Sequence, residues 1–187
     1  MKKKVIIVTD GDMIAQEAVE EAARNIKGRC ISLSGGNPTV LTGSMAIKLI
    51  NKSESDPVVV MVDDRGDSGV GSGEKVMDEI INSEEVELMG IVAVASNTVN
   101  GKGIMVDCSI DKDGNVVNKS VDKYGNMQKS RVLKGDTVNI LSNENVPYII
   151  GIGDPGKMDG KDTVKFGAPI ITAAMKKIIE NFNIPDG

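Results

Sequence analysis

Lys4-Val5-Ile6-Ile7-Val8-Thr9-Asp10-Gly11-Asp12 is the stretch that decides the fold. Val5 to Val8 are four β-branched residues in a row, with no polar face between them. Such a run reads as a strand covered on both sides, as in a parallel sheet. Asp10-Gly11-Asp12 ends the run, and Asp12 is a suitable N-cap for a helix. Ile14, Ala15, Ala18, Val19, Ala22, Ala23 and Ile26 then recur at helical spacing from Met13 to Ile26. Gly28 stops that helix. The unit is therefore a buried strand, a polar turn and an amphipathic helix.

The same unit repeats outward from this stretch. Cys30–Leu33 is a second short strand, and Ser34-Gly35-Gly36-Asn37-Pro38-Thr39 a loop. Ser44–Lys52 is a helix, broken by Asp56-Pro57. Val58–Val62 is a third strand, Glu74–Asn82 a third helix and Leu88–Ala95 a fourth strand. Tyr148–Ile152 is a fifth strand, and a last helix runs from about Pro169 to Asn181. Alternating β and α elements predict a three-layer αβα fold around a mostly parallel five-stranded sheet, of Rossmann-like or Toprim-like kind. The chain of 187 residues is expected to form one domain over 1–187. The rhythm changes between about residues 100 and 147. There Asp111-Lys112-Asp113-Gly114-Asn115 and Asp122-Lys123-Tyr124-Gly125-Asn126 read as hairpin turns of a small antiparallel β insertion or sheet extension.

Composition excludes several chemistries. Hydrophobic residues make up 40% and charged residues 26%, the balance of an ordinary globular protein. The net charge of −5 repels phosphate backbones, and two Tyr, two Phe and no Trp leave little to stack bases, so no nucleic-acid partner is expected. There is no His, which removes Ser-His-Asp triads, His general bases and His-bearing zinc sites. Cys30 and Cys108 form no C-x-x-C and read as reduced, buried thiols. Met1-Lys2-Lys3-Lys4 runs straight into the first strand, and that apolar run is too short for a signal peptide. No segment reaches the roughly 20 apolar residues of a membrane span. The chain is expected to be soluble and cytoplasmic when made.

Ligands of open α/β sheets bind outside the carboxyl ends of the strands. Those ends carry Asp10 and Asp12, then Gly35, Gly36 and Asn37, then Asp63, Asp64 and Asp67, then Ser96, Asn97 and Thr98, and lastly Gly153, Asp154 and Lys157. Like charges brought together need a proton or a cation between them, and carboxylates are usual Mg²⁺ ligands. The expected metal ligands are Asp10, Asp12, Asp63, Asp64 and Asp154, with Mg²⁺ the one cofactor the set suits. Asp10, Asp12, Ser96 and Lys157 are the candidates for catalysis. Gly69-Val70-Gly71-Ser72-Gly73, before a helix start, offers backbone N–H groups to an anion. It lacks the Gly-Lys-Ser/Thr of a P-loop. Gly35, Gly36, Asn37, Gly69, Gly71, Gly73, Asn97 and Gly153 are the candidate ligand-binding positions.

Three enzyme templates fit in part. Asp10-Gly11-Asp12 after the first strand suits a haloacid-dehalogenase-like phosphatase, with Ser96 on the phosphoryl group and Asp154 on the metal. A receiver-like module would use Asp10, Asp63, Ser96 and Lys157. A Toprim-like domain needs a Glu and a D-x-D that Asp10 and Asp63-Asp64 do not supply. Asp111–Asp122 lacks the glycine and glutamate of an EF-hand.

Several segments together resemble one family. They are Val5–Asp12, Gly28–Ser34, Gly36-Asn37-Pro38-Thr39, Val94–Thr98, Val106-Asp107, Ser109-Ile110-Asp111, Gly151–Asp154 and Gly156-Lys157-Met158. In order and over nearly the full length, they resemble stage V sporulation protein AE, in its soluble AEa type. The resemblance implies a spore-forming Firmicute and a soluble accessory protein of sporulation and germination. Its implied partners are the membrane proteins that move calcium dipicolinate, the SpoVA system. In spores the chain would then lie at the inner membrane through those partners, and a homo-oligomer is compatible with it. The resemblance implies no catalytic residue. Two readings result: an accessory protein that binds a partner or small ligand, or a Mg²⁺-dependent phosphoryl-handling enzyme.

Overall fold

The computed structural model describes residues 1–65, 71–96, 103–135, 137–138, 141 and 145–184. Among the described residues, four α-helices and nine strands are set out along the chain. The first half runs β1 (Lys3–Val8), α1 (Met13–Asn25), β2 (Arg29–Cys30), α2 (Gly43–Lys52), β3 (Val58–Met61), α3 (Ser72–Ile81) and β4 (Val86–Val94). The second half runs β5 (Ile104–Met105), β6 (Cys108–Ile110), β7 (Val116–Val117), β8 (Val132–Leu133), β9 (Ile149–Ile152) and α4 (Pro169–Phe182).

The main sheet has seven strands in the order β2-β3-β1-β4-β9-β6-β7, and β5 pairs with β8 in a second, two-stranded sheet. β1 pairs in parallel with β3 and β4, and β9 in parallel with β4 and β6. The three-layer α/β reading holds, but the sheet is wider than five strands. Of the two readings of the 100–147 stretch, part of it is a sheet extension, while β5 and β8 form their own antiparallel pair. β6 extends the sheet in parallel beside β9, and only β7 turns back antiparallel at the edge. Parallel partners are distant in sequence, so the local hairpin signal at Asp111–Asn115 gave no hint of β9.

Side chains alternate across a strand, and β1 divides the core accordingly. Val5 and Ile7 pack with Ile47 and Ile50 of α2 and Val76, Met77 and Ile80 of α3. Ile6 and Val8 pack with Ala18, Val19 and Ala22 of α1 and Ile171, Met175 and Ile178 of α4. All four β1 residues are completely buried. Strand β1 is apolar on both faces because each face meets a helical layer, which is why its sequence shows no alternation.

The predicted second strand, Cys30–Leu33, is shorter than expected. Its last residues form a 3₁₀ turn, Ser32–Ser34. The Ser34 hydroxyl donates to the Ile31 carbonyl (2.6 Å) and accepts from the Met61 N–H (2.8 Å). One side chain thus takes over bonds that a longer ladder would make. At the other end of the chain, Asp162 is buried and accepts N–H bonds from Ile170 (2.7 Å) and Ile171 (3.1 Å), capping α4. Burial pushes its pKa up to about 7, while those two N–H groups pull it down.

Candidate functional site

The carboxyl ends of β1, β3, β4 and β9 meet above the middle of the sheet, where β1 is flanked by β3 and β4. A cleft of about 120 Å³ lies there, lined by Asp10, Asp12, Asn37, Asp63, Ser96 and Asp154, with Thr9, Val94 and Ala95 as its floor. Four of the five predicted metal-ligand carboxylates, Asp10, Asp12, Asp63 and Asp154, and three of the four predicted catalytic residues, Asp10, Asp12 and Ser96, therefore share one cavity.

Each carboxylate is anchored by its own loop. Asp12 Oδ1 accepts the N–H groups of Ile14 and Ala15, both at 2.9 Å, and is the predicted N-cap of α1. Asp63 accepts from Gly11 N–H (3.2 Å) and Arg65 N–H (2.9 Å), tying the first loop to the third. Asp154 Oδ1 accepts from Gly156 N–H (2.7 Å). Asp10 accepts one long bond from Asp12 N–H (3.4 Å). The loops are also joined to each other. Gly36 N–H donates to the Gly11 carbonyl (2.8 Å), and Thr39 and Asp63 exchange bonds through Thr39 N–H (2.9 Å) and the Thr39 hydroxyl (2.8 Å). Thr9, which the sequence did not mark, accepts from Val94 N–H through its buried hydroxyl (2.9 Å) and fixes β1 to β4 beneath the cleft.

The electrostatics follow from this crowding. Burial raises the Asp10 pKa well above its ordinary value, and the charges of Asp12, Asp63 and Asp154 raise it further. The Asp12 N–H bond is a small opposing effect. Asp154 is raised too, first by burial and then by Asp12, against the Gly156 N–H and the cations Lys157 and Lys123. Burial and neighbouring charge together disfavour the ionised form of Asp10.

The remaining predicted residues fall elsewhere. Asp64 turns to the other side and caps α3, accepting from Gly73 N–H (2.7 Å) and Glu74 N–H (3.1 Å). Successive residues of extended chain point oppositely, which separates Asp63 from Asp64. Gly71 abuts the Asp64 carboxylate, and Gly73 lies against the Asp63 backbone, where a Cβ would come within 2.6 Å of its nitrogen. Gly35 meets the Gln16 side chain, and Gly153 packs on Gly125. These glycines do packing work, and of the described candidate glycines Gly36 has a positive φ, 148°. Lys157 is exposed, donates its backbone N–H to the Asp154 carbonyl (2.9 Å) and acts on the Asp154 carboxyl through its charge. Gly69, Asn97, Asp67 and Thr98 lie outside the described residues. Cys30 is a buried free thiol whose pKa burial pushes up to about 12, and Cys108 is buried and free as well.

Among the described residues no group of three or more His, Cys, Asp or Glu side chains is placed to hold a metal ion. The hard oxygens of the cleft still suit Mg²⁺ in kind, because that ion is often held by one or two carboxylates completed by water and a substrate phosphate. No helix among the described residues is long and apolar enough to cross a membrane.

A family model described as stage V sporulation protein AE1 matches residues 4–181. No curated protein and no solved structure matches the chain. The matched span takes in β1 and all four carboxylates of the cleft. On that match the chain belongs to the stage V sporulation protein AE family and has a sporulation-related role.

Proposed function

We propose that the protein is an accessory protein of spore formation and germination, associated with the calcium-dipicolinate transport system, and that it acts by binding a membrane-protein partner or a small ligand. One observation carries the binding reading over the catalytic one. Asp12, Asp63 and Asp154 already accept backbone N–H groups in caps and turns, and burial with the neighbouring charges disfavours the charged form of Asp10. Such a pocket offers hydrogen-bonding carboxyl groups to a partner without needing a metal. The missing His leaves the cleft without the commonest general base.

The second reading is a Mg²⁺-dependent phosphoryl-handling enzyme. It is favoured by the convergence of Asp10, Asp12, Asp63, Asp154 and Ser96. In that reading Asp10 and Asp12 hold Mg²⁺, which would neutralise the developing phosphoryl charge. Ser96 would orient the phosphoryl group.

Melting curves separate the two. Under the binding reading Mg²⁺ leaves the melting temperature where ionic-strength-matched KCl leaves it. A Mg²⁺-specific rise that Asp10→Asn abolishes would establish the enzyme reading instead. The partner is tested with purified membrane proteins of the dipicolinate system in nanodiscs. Saturable binding is expected, and its absence would remove the proposed association.

A further inference from the structure

A second, larger cavity opens beside the acidic cleft and shares Ala95 and Ser96 with it. Its volume is about 880 Å³, within the range of small-molecule sites. Its walls come from the segment after β7, the segment around β8 and the end of β4. Two backbone bonds pin those walls to the sheet: Ser96 N–H donates to the Lys134 carbonyl (2.9 Å), and Asp154 N–H to the Lys123 carbonyl (3.0 Å).

The charge of this cavity runs against that of the chain. The whole protein carries 22 basic and 27 acidic residues. The cavity is lined by Lys123, Lys129 and Lys134 and by one acid, Asp122. That acid is spent within its own turn. Asp122 Oδ1 accepts from Tyr124 N–H (2.9 Å) and Asn126 N–H (3.0 Å), and Oδ2 from the side chains of Asn126 (3.3 Å) and Gln128 (3.2 Å). Among the described residues none of the three lysines forms an ion pair. Lys123 Nζ sits 4.9 Å from the centroid of the Tyr124 ring, a cation–π contact that restrains its position. Ser120 and Ser130 add hydroxyls to the wall.

We infer that the cavity between the Asp122 turn and the end of β4 binds a small anion bearing carboxylate or phosphate groups, held by Lys123, Lys129 and Lys134. Unpaired ammonium groups that converge on a concave surface attract such anions, and the hydroxyls supply neutral hydrogen bonds around them. None of the three lysines lines the acidic cleft, so the site stands or falls separately from the reading given there.

Calorimetry with citrate and with pyrophosphate tests it on the full chain, at low and at moderate salt. Saturable binding that weakens with salt is expected, and the tighter of the two probes identifies the anionic group. The triple variant Lys123→Gln, Lys129→Gln, Lys134→Gln should weaken it at least about tenfold. The control Lys52→Gln, Lys75→Gln, Lys176→Gln, on exposed helical positions, should not. Amide chemical shifts give a readout on the unmodified protein: the bound probe should move Ser120, Gln128 and Ser130. Absence of saturable binding by both probes, an equal loss in both triple variants, or shifts confined to other surfaces would overturn the inference.

Discussion

Ile7→Ala lowers the free energy of unfolding by about 2–5 kcal/mol, read as a lower urea midpoint with an unchanged slope. Ile7 is completely buried in the central strand, on the face that meets α2 and α3. Its register partners are Val60 on β3 and Ile91 on β4, so a cavity there opens between three strands and two helices. Close-packed surroundings collapse only partly around a lost side chain, so the cavity adds to the lost transfer free energy. Ile14→Ala makes the contrast. Ile14 is half exposed on the same chain segment, and its loss should change stability by no more than about 0.5 kcal/mol. If the two substitutions cost the same, β1 is not the centre of the core.

Gly153→Ala is the second large effect. A Cβ at Gly153 would lie 2.6 Å from Gly125 N, 2.9 Å from Gly125 Cα and 2.7 Å from Met158 Sδ. Met158 is completely buried, and Gly125 is held at a φ of 74° in the Asp122 turn, so neither neighbour moves freely. Overpacking of this kind costs about 1–3 kcal/mol. The added methyl should push the Asp122 turn off the end of β9 and strain the bond from Asp154 N–H to the Lys123 carbonyl. Both cavities meet at that bond, so anion binding at the lysines should weaken together with stability. A Gly114→Ala control, with nothing within 4 Å of its Cβ but a φ of 83°, should lower stability without affecting anion binding. Equal losses of binding in the two variants would separate the lysine cavity from β9.

The first half of the fold was legible because its signals are local. The β-branched run of β1, the Asp12 cap and the apolar spacing of α1 need no distant partner to be read, and Pro169 marked the first residue of α4 in the same way. What failed was non-local. Cys108–Ile110 reads as one arm of a hairpin, and it is, yet its other edge pairs with β9, some forty residues away in the chain. The candidate site divides along the same line. Asp10, Asp12, Asp63, Asp154 and Ser96 come together because each follows a strand of a parallel sheet, and that rule can be applied to sequence alone. Asp63 and Asp64 look alike in sequence, whereas the backbone sends them to opposite sides, Asp63 to the cleft and Asp64 to the start of α3. The lysine cavity was invisible because Lys123 and Lys134 are brought to the sheet by backbone bonds, which no side-chain pattern announces.

Burial and the charges of Asp12, Asp63 and Asp154 set the ionisation of Asp10, the residue at the centre of the cleft. Because its pKa is raised, the folded protein keeps a proton that the unfolded chain releases. Stability should therefore fall as pH rises from the ordinary aspartate range through the raised value. Titration of the Asp10 carboxyl carbon by NMR, in metal-free buffer, reads this directly. The midpoint should lie well above that of an ordinary aspartate and move down in Asp12→Asn, which keeps the helix cap but removes a neighbouring charge. An ordinary midpoint, unmoved by Asp12→Asn, would mean that the four carboxylates do not share a cleft.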